Sequence, residues 1–248
     1  MIGVEIKDLK YSRSEIIEKR NTIRNKFITK SKNVKTGNIQ CMSNEDLKIL
    51  FDLYDEEFFQ SHFSRSFKGS LTFSLSTRMT SAAGKTIYSR KLKLLQEAEE
   101  NYEIRMGIKF FFQYYKVARD KIVSGINTVD SLEAFQIVFE HELCHLMELH
   151  FFSESSCKKP RFKKMVNNIF AHTEVYHQLP RPQEIISERY GLKIGQKIGF
   201  VSEGKKYSGF IHKMNKRATV MVNDKKGTYR DRDGNTYSKW YVQFEQLV

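Results

Sequence analysis

The stretch Phe139-Glu140-His141-Glu142-Leu143-Cys144-His145-Leu146 contains the motif His-Glu-x-x-His. On a helix, residues four apart lie about 40° apart around the axis and one turn along it, so His141 and His145 can bind one metal ion. Glu142 then lies beside that ion. In zinc hydrolases this arrangement supplies two neutral nitrogen ligands and a carboxylate that accepts a proton from the metal-bound water. Because the motif is short, its surroundings must decide between a metal site and incidental histidines.

The residues around the motif predict a helix with two apolar faces. Asp130, with Glu133 three residues later, forms a capping box at its start. One face carries Leu132, Phe135, Phe139, Leu143 and Leu146, and the other carries Ala134, Val138, His141 and His145. A surface helix would carry charge on that second face, so the pattern favours a buried metal site. His150 falls on the core side of such a helix and is a weak candidate ligand.

The charge of the chain is concentrated at its two ends. A chain of 248 residues with 40% hydrophobic content can bury a sizeable core, and its formal charge is +13. Residues 1–35 carry 10 Lys/Arg against 4 Asp/Glu, residues 190–248 carry 12 against 5, and residues 36–189 carry 20 of each. Basic flanks of this kind bind polyanions through counterion release, which predicts DNA or another nucleic acid as a partner. A basic surface that only aids solubility is the alternative.

Cysteine usage and hydropathy predict a cytoplasmic protein. Cys41, Cys144 and Cys157 are odd in number and far apart, so no disulfide framework is expected. The N-terminus lacks the apolar core of a secretory signal, and no apolar run approaches the roughly 20 residues that cross a bilayer. We therefore expect no membrane partner.

Several further segments have clear secondary-structure signals. Residues 11–30 predict a basic amphipathic helix followed by a linker, and Ser43 with Asp46 caps a helix that reaches Phe59. Leu71–Ser76 predicts a strand, with residues 86–89 as its hairpin partner. Two segments follow with less regular patterns. Residues 102–115 predict a strand, or a helix buried on several sides, and residues 160–170 predict a helix opened by Pro160.

The last sixty residues have a different pattern. After an extended linker at Leu179–Pro182, with a domain boundary between 180 and 192, short alternating runs are separated by turns. The runs are Lys197–Val201, Tyr207–His212, Ala218–Val222 and Tyr237–Val242. They predict a small SH3-like barrel. Aromatic residues interleaved with lysines and arginines in these runs are typical of nucleic-acid contact, with intramolecular docking or protein recognition as the alternative.

Four blocks of the chain resemble successive blocks of the SprT-like metalloproteases, the group that includes Spartan. They are residues 50–59, 76–87, 141–145 and 161–165, and the similarity extends over about residues 45–180. His-Glu-Leu-Cys-His is the most specific of the four. The order and spacing of all four blocks carry the resemblance, because each of the others is weak alone.

The resemblance implies an α+β fold in which a zincin-like metalloprotease domain, with helices and a small mixed sheet, spans residues 41–185. A basic helix and linker at 1–40 would precede it, and a basic SH3-like or KOW-like barrel at 190–248 would follow. It further implies Zn²⁺ as cofactor, His141 and His145 as ligands and Glu142 as general base. The implied substrates are proteins bound or crosslinked to DNA.

The third zinc ligand departs from the family pattern. Members usually provide a histidine at the position of Lys158, and a protonated lysine cannot bind zinc. Cys157, one residue earlier, is the nearest replacement, and its thiolate would complete a His₂Cys site. His172 is the rival, and His177 is a weaker one. An acidic ligand, or a site with only two protein ligands, also remains open.

Two functions follow from these patterns. The first is a zinc-dependent endopeptidase in which Glu142 activates a zinc-bound water. The alternative is a nucleic-acid-binding protein with a structural or degenerate metal site, which the missing histidine and the basic flanks favour. A peptidase that is active only in the presence of DNA would combine the two.

Overall fold

The structure, a computed structural model, describes residues 6–248, and these residues form an α+β protein. Residues 1–5, the start of the predicted N-terminal segment, lie outside the described part. The chain divides into two compact units, one that ends at Pro180 and one that comprises Arg181–Val248. Each unit has its own hydrophobic core. No helix among residues 6–248 is long and apolar enough to cross a membrane.

The first unit contains six helices and five strands within its described residues. They are α1 (Arg13–Lys30), α2 (Asn44–Phe59), α3 (His62–Ser66), β1 (Ser70–Ser76), β2 (Gly84–Tyr88), β3 (Asn101–Gly107), α4 (Ile108–Phe112), β4 (Lys121–Val123), β5 (Ile126–Thr128), α5 (Ser131–Phe152) and α6 (Pro160–Phe170). The predicted helices α1, α2, α5 and α6 are confirmed. The capping box at Ser43 and Asp46 is also confirmed, because each side chain accepts a hydrogen bond from the other residue's backbone N–H.

The segment after α1 was predicted as a linker, but it packs into the first unit. Val34 and Ile39 are each 1% exposed. The carbonyl oxygen of Gly37 accepts hydrogen bonds from the Leu132 backbone N–H at 2.9 Å and from the Ser131 hydroxyl at 3.0 Å. The described residues before position 41 therefore share one core with the residues that follow, and no boundary between compact units falls at residue 40.

The three-stranded sheet of the first unit has the order β1-β3-β2, with β1 parallel and β2 antiparallel to β3. The predicted hairpin between β1 and β2 is therefore wrong, since β3 lies between them. Burial explains this order. The central strand carries Tyr102, Ile104 and Met106, which are 0–2% exposed, whereas β1 and β2 contain serines, threonines and a lysine that suit the sheet edges.

The segment Tyr102–Tyr115 is a strand only as far as Gly107. It continues as the short helix α4 and then as a 3₁₀ turn at Tyr114–Lys116. Phe110 and Phe111 are both buried, and consecutive buried residues conflict with the period of two of a strand that has one exposed face. The strand and the buried-helix interpretations thus each hold for one part.

A buried ion pair joins α1 to α5. Arg20 donates from Nε and Nη2 to the two carboxylate oxygens of Glu140 at 2.8 and 2.7 Å, and Nη2 also reaches the Phe170 carbonyl oxygen at 3.1 Å. The Tyr54 hydroxyl donates to Glu140 at 2.8 Å, and His172 Nε2 lies 2.8 Å from its other oxygen. Burial alone would raise the pKa of Glu140, but Arg20 and His172 bring it to about 2. Four chain segments are thereby held around one carboxylate.

The second unit contains a helix and a five-stranded antiparallel sheet of order β6-β7-β8-β10-β9. Its elements are α7 (Pro182–Tyr190), β6 (Lys197–Ser202), β7 (Lys205–Met214), β8 (Ala218–Asn223), β9 (Tyr229–Arg230) and β10 (Thr236–Val242). The four predicted strands are confirmed. Helix α7 was missed because Pro182 was taken as part of an extended linker, whereas here it occupies the first turn of a helix.

Replacing Arg20 by alanine is expected to lower the free energy of unfolding by about 3–5 kcal/mol, because Glu140 would remain buried without its ionic partner. The change is measured by denaturant unfolding followed by far-ultraviolet circular dichroism. Arg13, an exposed residue of the same helix, is the control, and Arg13→Ala should change stability by less than about 0.5 kcal/mol. Equal effects of the two substitutions would refute the role given to the ion pair.

Candidate metal centre

Three possible metal ligands lie together at half-buried positions of the first unit. The ligand atoms of His141, His145 and Cys157 are all within 4.8 Å of one another, and no other group of three His, Cys, Asp or Glu residues does this among residues 6–248. Lys158, at the position where the SprT-like resemblance implies a histidine, is exposed. The structure therefore brings Cys157 to the two motif histidines.

Helices α5 and α6 position the two imidazoles. The ring centroids of His141 and His145 are 4.9 Å apart, as expected for residues one helical turn apart. The ring of Phe162, on α6, lies 4.9 Å from His141 and 4.3 Å from His145. Phe162 is fully buried, so it forms an apolar floor against which both imidazoles pack.

Hydrogen bonds orient His145 for metal binding. Its Nδ1 lies 2.7 Å from the hydroxyl oxygen of Ser155, and that hydroxyl donates to Glu148 Oε2 at 2.7 Å. Since the hydroxyl proton is directed to the carboxylate, Ser155 accepts the proton of His145 Nδ1–H. His145 Nε2 then keeps its lone pair for a metal ion, which is the usual way in which a neighbouring acceptor fixes the tautomer of a ligand.

Glu148 organises the loop that carries Cys157, although it was not among the site residues predicted from the sequence. The carboxylate is fully buried. Besides Ser155, it accepts hydrogen bonds from the Ser156 backbone N–H at 3.2 Å and from Arg161 Nε at 2.7 Å. Its position seven residues after His141 puts it on the same face of α5 as the two histidines. The seven-residue spacing could have identified Glu148 from the sequence, but the loop residues to which it hydrogen-bonds are set by the fold.

The lowered pKa values of His141 and His145 keep both imidazoles neutral at neutral pH. Burial and the neighbouring His145 lower the pKa of His141 to about 3, and burial lowers the pKa of His145 to about 4. Metal ligands must be deprotonated, so both imidazoles are ready to bind an ion at neutral pH.

Glu142 lies buried against strand β2. The Thr86 hydroxyl is 2.9 Å from Glu142 Oε2 and 3.0 Å from the Glu142 backbone carbonyl oxygen. A Cβ atom at Gly84 would lie 2.7 Å from Glu142 Oε1, so only glycine lets the strand pass this close. Burial raises the pKa of Glu142 to about 7, against the lowering effect of the Thr86 hydrogen bonds. A carboxyl group with that pKa can both accept and release a proton near neutral pH.

The structure gives the rival histidines other partners. His172 is 1% exposed, and its Nε2 lies 2.8 Å from Glu140 in the buried ion-pair network. His177 Nδ1 accepts a hydrogen bond from the Leu179 backbone N–H at 3.3 Å. Neither histidine belongs to the group formed by His141, His145 and Cys157.

No protein-family model, curated protein or solved structure matches this chain. Two imidazoles and a thiol form a donor set that zinc accepts, and three protein ligands leave the fourth position of a tetrahedral ion open. The donor set, the neutral histidines and the fixed tautomer of His145 together fit a zinc ion.

Ser155→Ala is expected to weaken zinc binding at this site by about 10–100-fold, because His145 would lose the acceptor that fixes its tautomer. Affinity is measured by competition with a chromogenic chelator. Ser156→Ala is the matched control, since Ser156 contacts Glu148 through its backbone N–H, which the substitution retains. If both variants bound zinc as tightly as the wild type, the hydrogen-bond relay would have no role in metal binding.

Proposed function

We propose that this chain is a zinc-dependent endopeptidase of the SprT-like type. His141, His145 and Cys157 would hold Zn²⁺, and Glu142 would act as general base. The observation that carries the proposal is that the ligand atoms of His141 and His145 on α5, and of Cys157 on the loop that follows it, all lie within 4.8 Å of one another. The residue after His141 is the buried Glu142. The motif and the four SprT-like sequence blocks support the same conclusion.

His141, His145 and Cys157 would hold the zinc ion, which would supply Lewis-acid polarisation of the scissile carbonyl and of a water. Glu142 performs the proton transfers. Its carboxylate would accept the proton of the attacking water and pass it to the leaving amine nitrogen, while the Thr86 hydroxyl holds Oε2 in place. Burial raises the pKa of this carboxyl to about 7, which suits a group that must both accept and release a proton.

The surroundings of the site suit an extended peptide. Strand β2 pairs only with β3 among the described strands, and it packs against α5 beside Glu142. An edge strand can add a peptide through backbone hydrogen bonds, which would lay the substrate across the candidate site. This mixed sheet, packed on the helix that carries the motif, supports a zincin-like assignment for the first unit.

The second unit supports an SH3-like assignment. Its five strands are antiparallel, and Gly199 on β6 exchanges two backbone hydrogen bonds, at 2.8 and 2.9 Å, with Val248 at the end of the chain. This pairing places Val248 beside β6, the first strand of the sheet. Backbone pairing between the segment after β10 and β6 would close part of a small barrel.

One face of this sheet has the chemistry of a nucleic-acid surface. A recess of about 520 Å³ is lined by aromatic and basic residues that include Phe210, Tyr229, Tyr237, Lys239 and Tyr241. Lys239 Nζ lies 4.2 Å from the ring centroid of Tyr229, and Tyr241 is 63% exposed. Residues 181–248 carry 14 Lys/Arg against 7 Asp/Glu. Stacking on such rings and attraction to phosphates would bring the peptidase to DNA-associated proteins.

The alternative is a nucleic-acid-binding protein whose metal site is structural or degenerate. Its support is the replacement of the family's histidine by Lys158. A structural zinc site usually has four protein ligands, whereas the present group has three. The endopeptidase is therefore the better-supported proposal.

Glu142→Gln is expected to lower kcat/KM for cleavage of a DNA-bound protein by about 100-fold or more, because the amide cannot accept the proton of the attacking water. Zinc content and the circular dichroism spectrum should stay unchanged. The assay is run with and without single-stranded DNA. Glu18→Gln, at an exposed position of α1, is the control. Wild-type activity in the Glu142 variant would exclude the proposed mechanism and favour the alternative.

Tyr241→Ala is expected to weaken binding of single-stranded DNA by about 1–3 kcal/mol, because it removes one stacking surface. The affinity is measured by fluorescence anisotropy on the full chain. Tyr176, which is 54% exposed in the first unit, provides the matched control. A DNA affinity lowered equally by Tyr176→Ala and Tyr241→Ala would argue against a binding surface on the second unit.

A further inference from the structure

A second pair of histidines meets at the C-terminal end of α5. His150 Nε2 lies 3.5 Å from the Nε2 atom of His62, the first residue of α3. His150 follows His141 by nine residues, which is about 13 Å along the helix axis. The two imidazoles therefore form a cluster separate from the candidate site of the proposed peptidase.

A buried relay orients His150. Its Nδ1 lies 3.3 Å from Glu100 Oε2, and the same oxygen accepts a hydrogen bond from the Tyr102 hydroxyl at 2.9 Å. Glu100 and Tyr102 are 7% and 2% exposed. The carboxylate holds the proton on Nδ1, so Nε2 of His150 presents its lone pair to His62. In metal sites, a histidine ligand commonly donates its other ring N–H to a carboxylate, as His150 does here.

The backbone before His62 is held in an unusual conformation. Gln60 and Ser61 have φ values of 54° and 60°, in the left-handed region that residues other than glycine seldom adopt. Asp55 holds the turn that follows, because its carboxylate accepts the backbone N–H groups of Phe63 at 2.9 Å and Ser64 at 2.8 Å. Gln60 is the left-handed C-cap of α2, and His62 follows directly after this turn, where it faces His150.

We propose that His62 Nε2 and His150 Nε2 bind a second divalent transition-metal ion of the zinc class. Two nitrogen ligands at the usual zinc distance in a tetrahedral site are about 3.3–3.4 Å apart, close to the observed 3.5 Å. To bind the ion, His62 must carry its proton on Nδ1, so that both Nε2 atoms can offer lone pairs. The ion joins the turn between α2 and α3 to the end of α5.

The site has two protein ligands, whereas the group at His141 has three ligand atoms within 4.8 Å. It therefore binds zinc more weakly, and a mild chelator removes its ion first. The inference does not rest on the proposed peptidase function, because none of its residues takes part in the His141 group.

Zinc stoichiometry of the full chain tests the proposal. After equilibrium dialysis against zinc at neutral pH, the wild type is expected to hold two ions per chain, and His62→Asn and His141→Asn one each. His212→Asn, at an exposed histidine of the second unit, should keep two. With cobalt in place of zinc, His62→Asn should retain the near-ultraviolet thiolate band that a cobalt–Cys157 bond produces.

A conservative variant provides the second test. Glu100→Gln is expected to weaken zinc binding at His62 and His150 by about 10–100-fold and to leave the thiolate band unchanged. If His62→Asn and Glu100→Gln bound as much zinc as the wild type, the two histidines would be a hydrogen-bonded pair only, and the proposal would be overturned. If His62→Asn lost one ion while His141→Asn lost none, this site would stand and the proposed peptidase site would fail.

Discussion

The first unit depends on one buried negative charge. Glu140 has no exposed surface, and a carboxylate in that position is tolerated only when it is fully paired. Arg20 on α1, Tyr54 on α2 and His172 after α6 supply the pairing, so three separate parts of the chain must reach the same point on α5. The residue next to Glu140 is the first histidine of the motif. The requirement to neutralise one charge thus fixes the helix on which the candidate chemistry depends.

The buried residues of helix α5 make different contacts on its different faces. Glu140 points into the core network, His141 and His145 meet Cys157, and Glu148 holds the loop that delivers the cysteine. Both buried glutamates act on the site indirectly, one by locating the helix and the other by locating the loop. Glu142 differs from them: burial raises its pKa to about 7, whereas Arg20 and His172 lower that of Glu140. Carboxylates two residues apart are thereby suited to unlike roles.

The features that could be predicted from the sequence are those that depend on local interactions along the chain. Caps at Ser43 and Asp130, the helical stripes and the alternating runs of the second unit all depend on neighbours within a few residues. The sheet order was missed, because insertion of β3 between β1 and β2 depends on burial of the whole unit. The roles of Glu148 and Ser155 were missed for a similar reason. The SprT-like resemblance favoured Cys157 over His172, but the loop contacts that bring Cys157 to the histidines appear only in the fold. The SprT-like resemblance remains a prediction.

The loop between α5 and α6 carries two elements of the candidate site at once. Cys157 offers a ligand atom, and Ser155 accepts the proton that fixes His145. If this loop opened, an ion would lose the thiolate and the tautomer preference of an imidazole in the same event. In the proposed zinc site, metal affinity and loop order would be thermodynamically linked, and each would stabilise the other. Ion release would then be cooperative, with the loop and the metal leaving their places together.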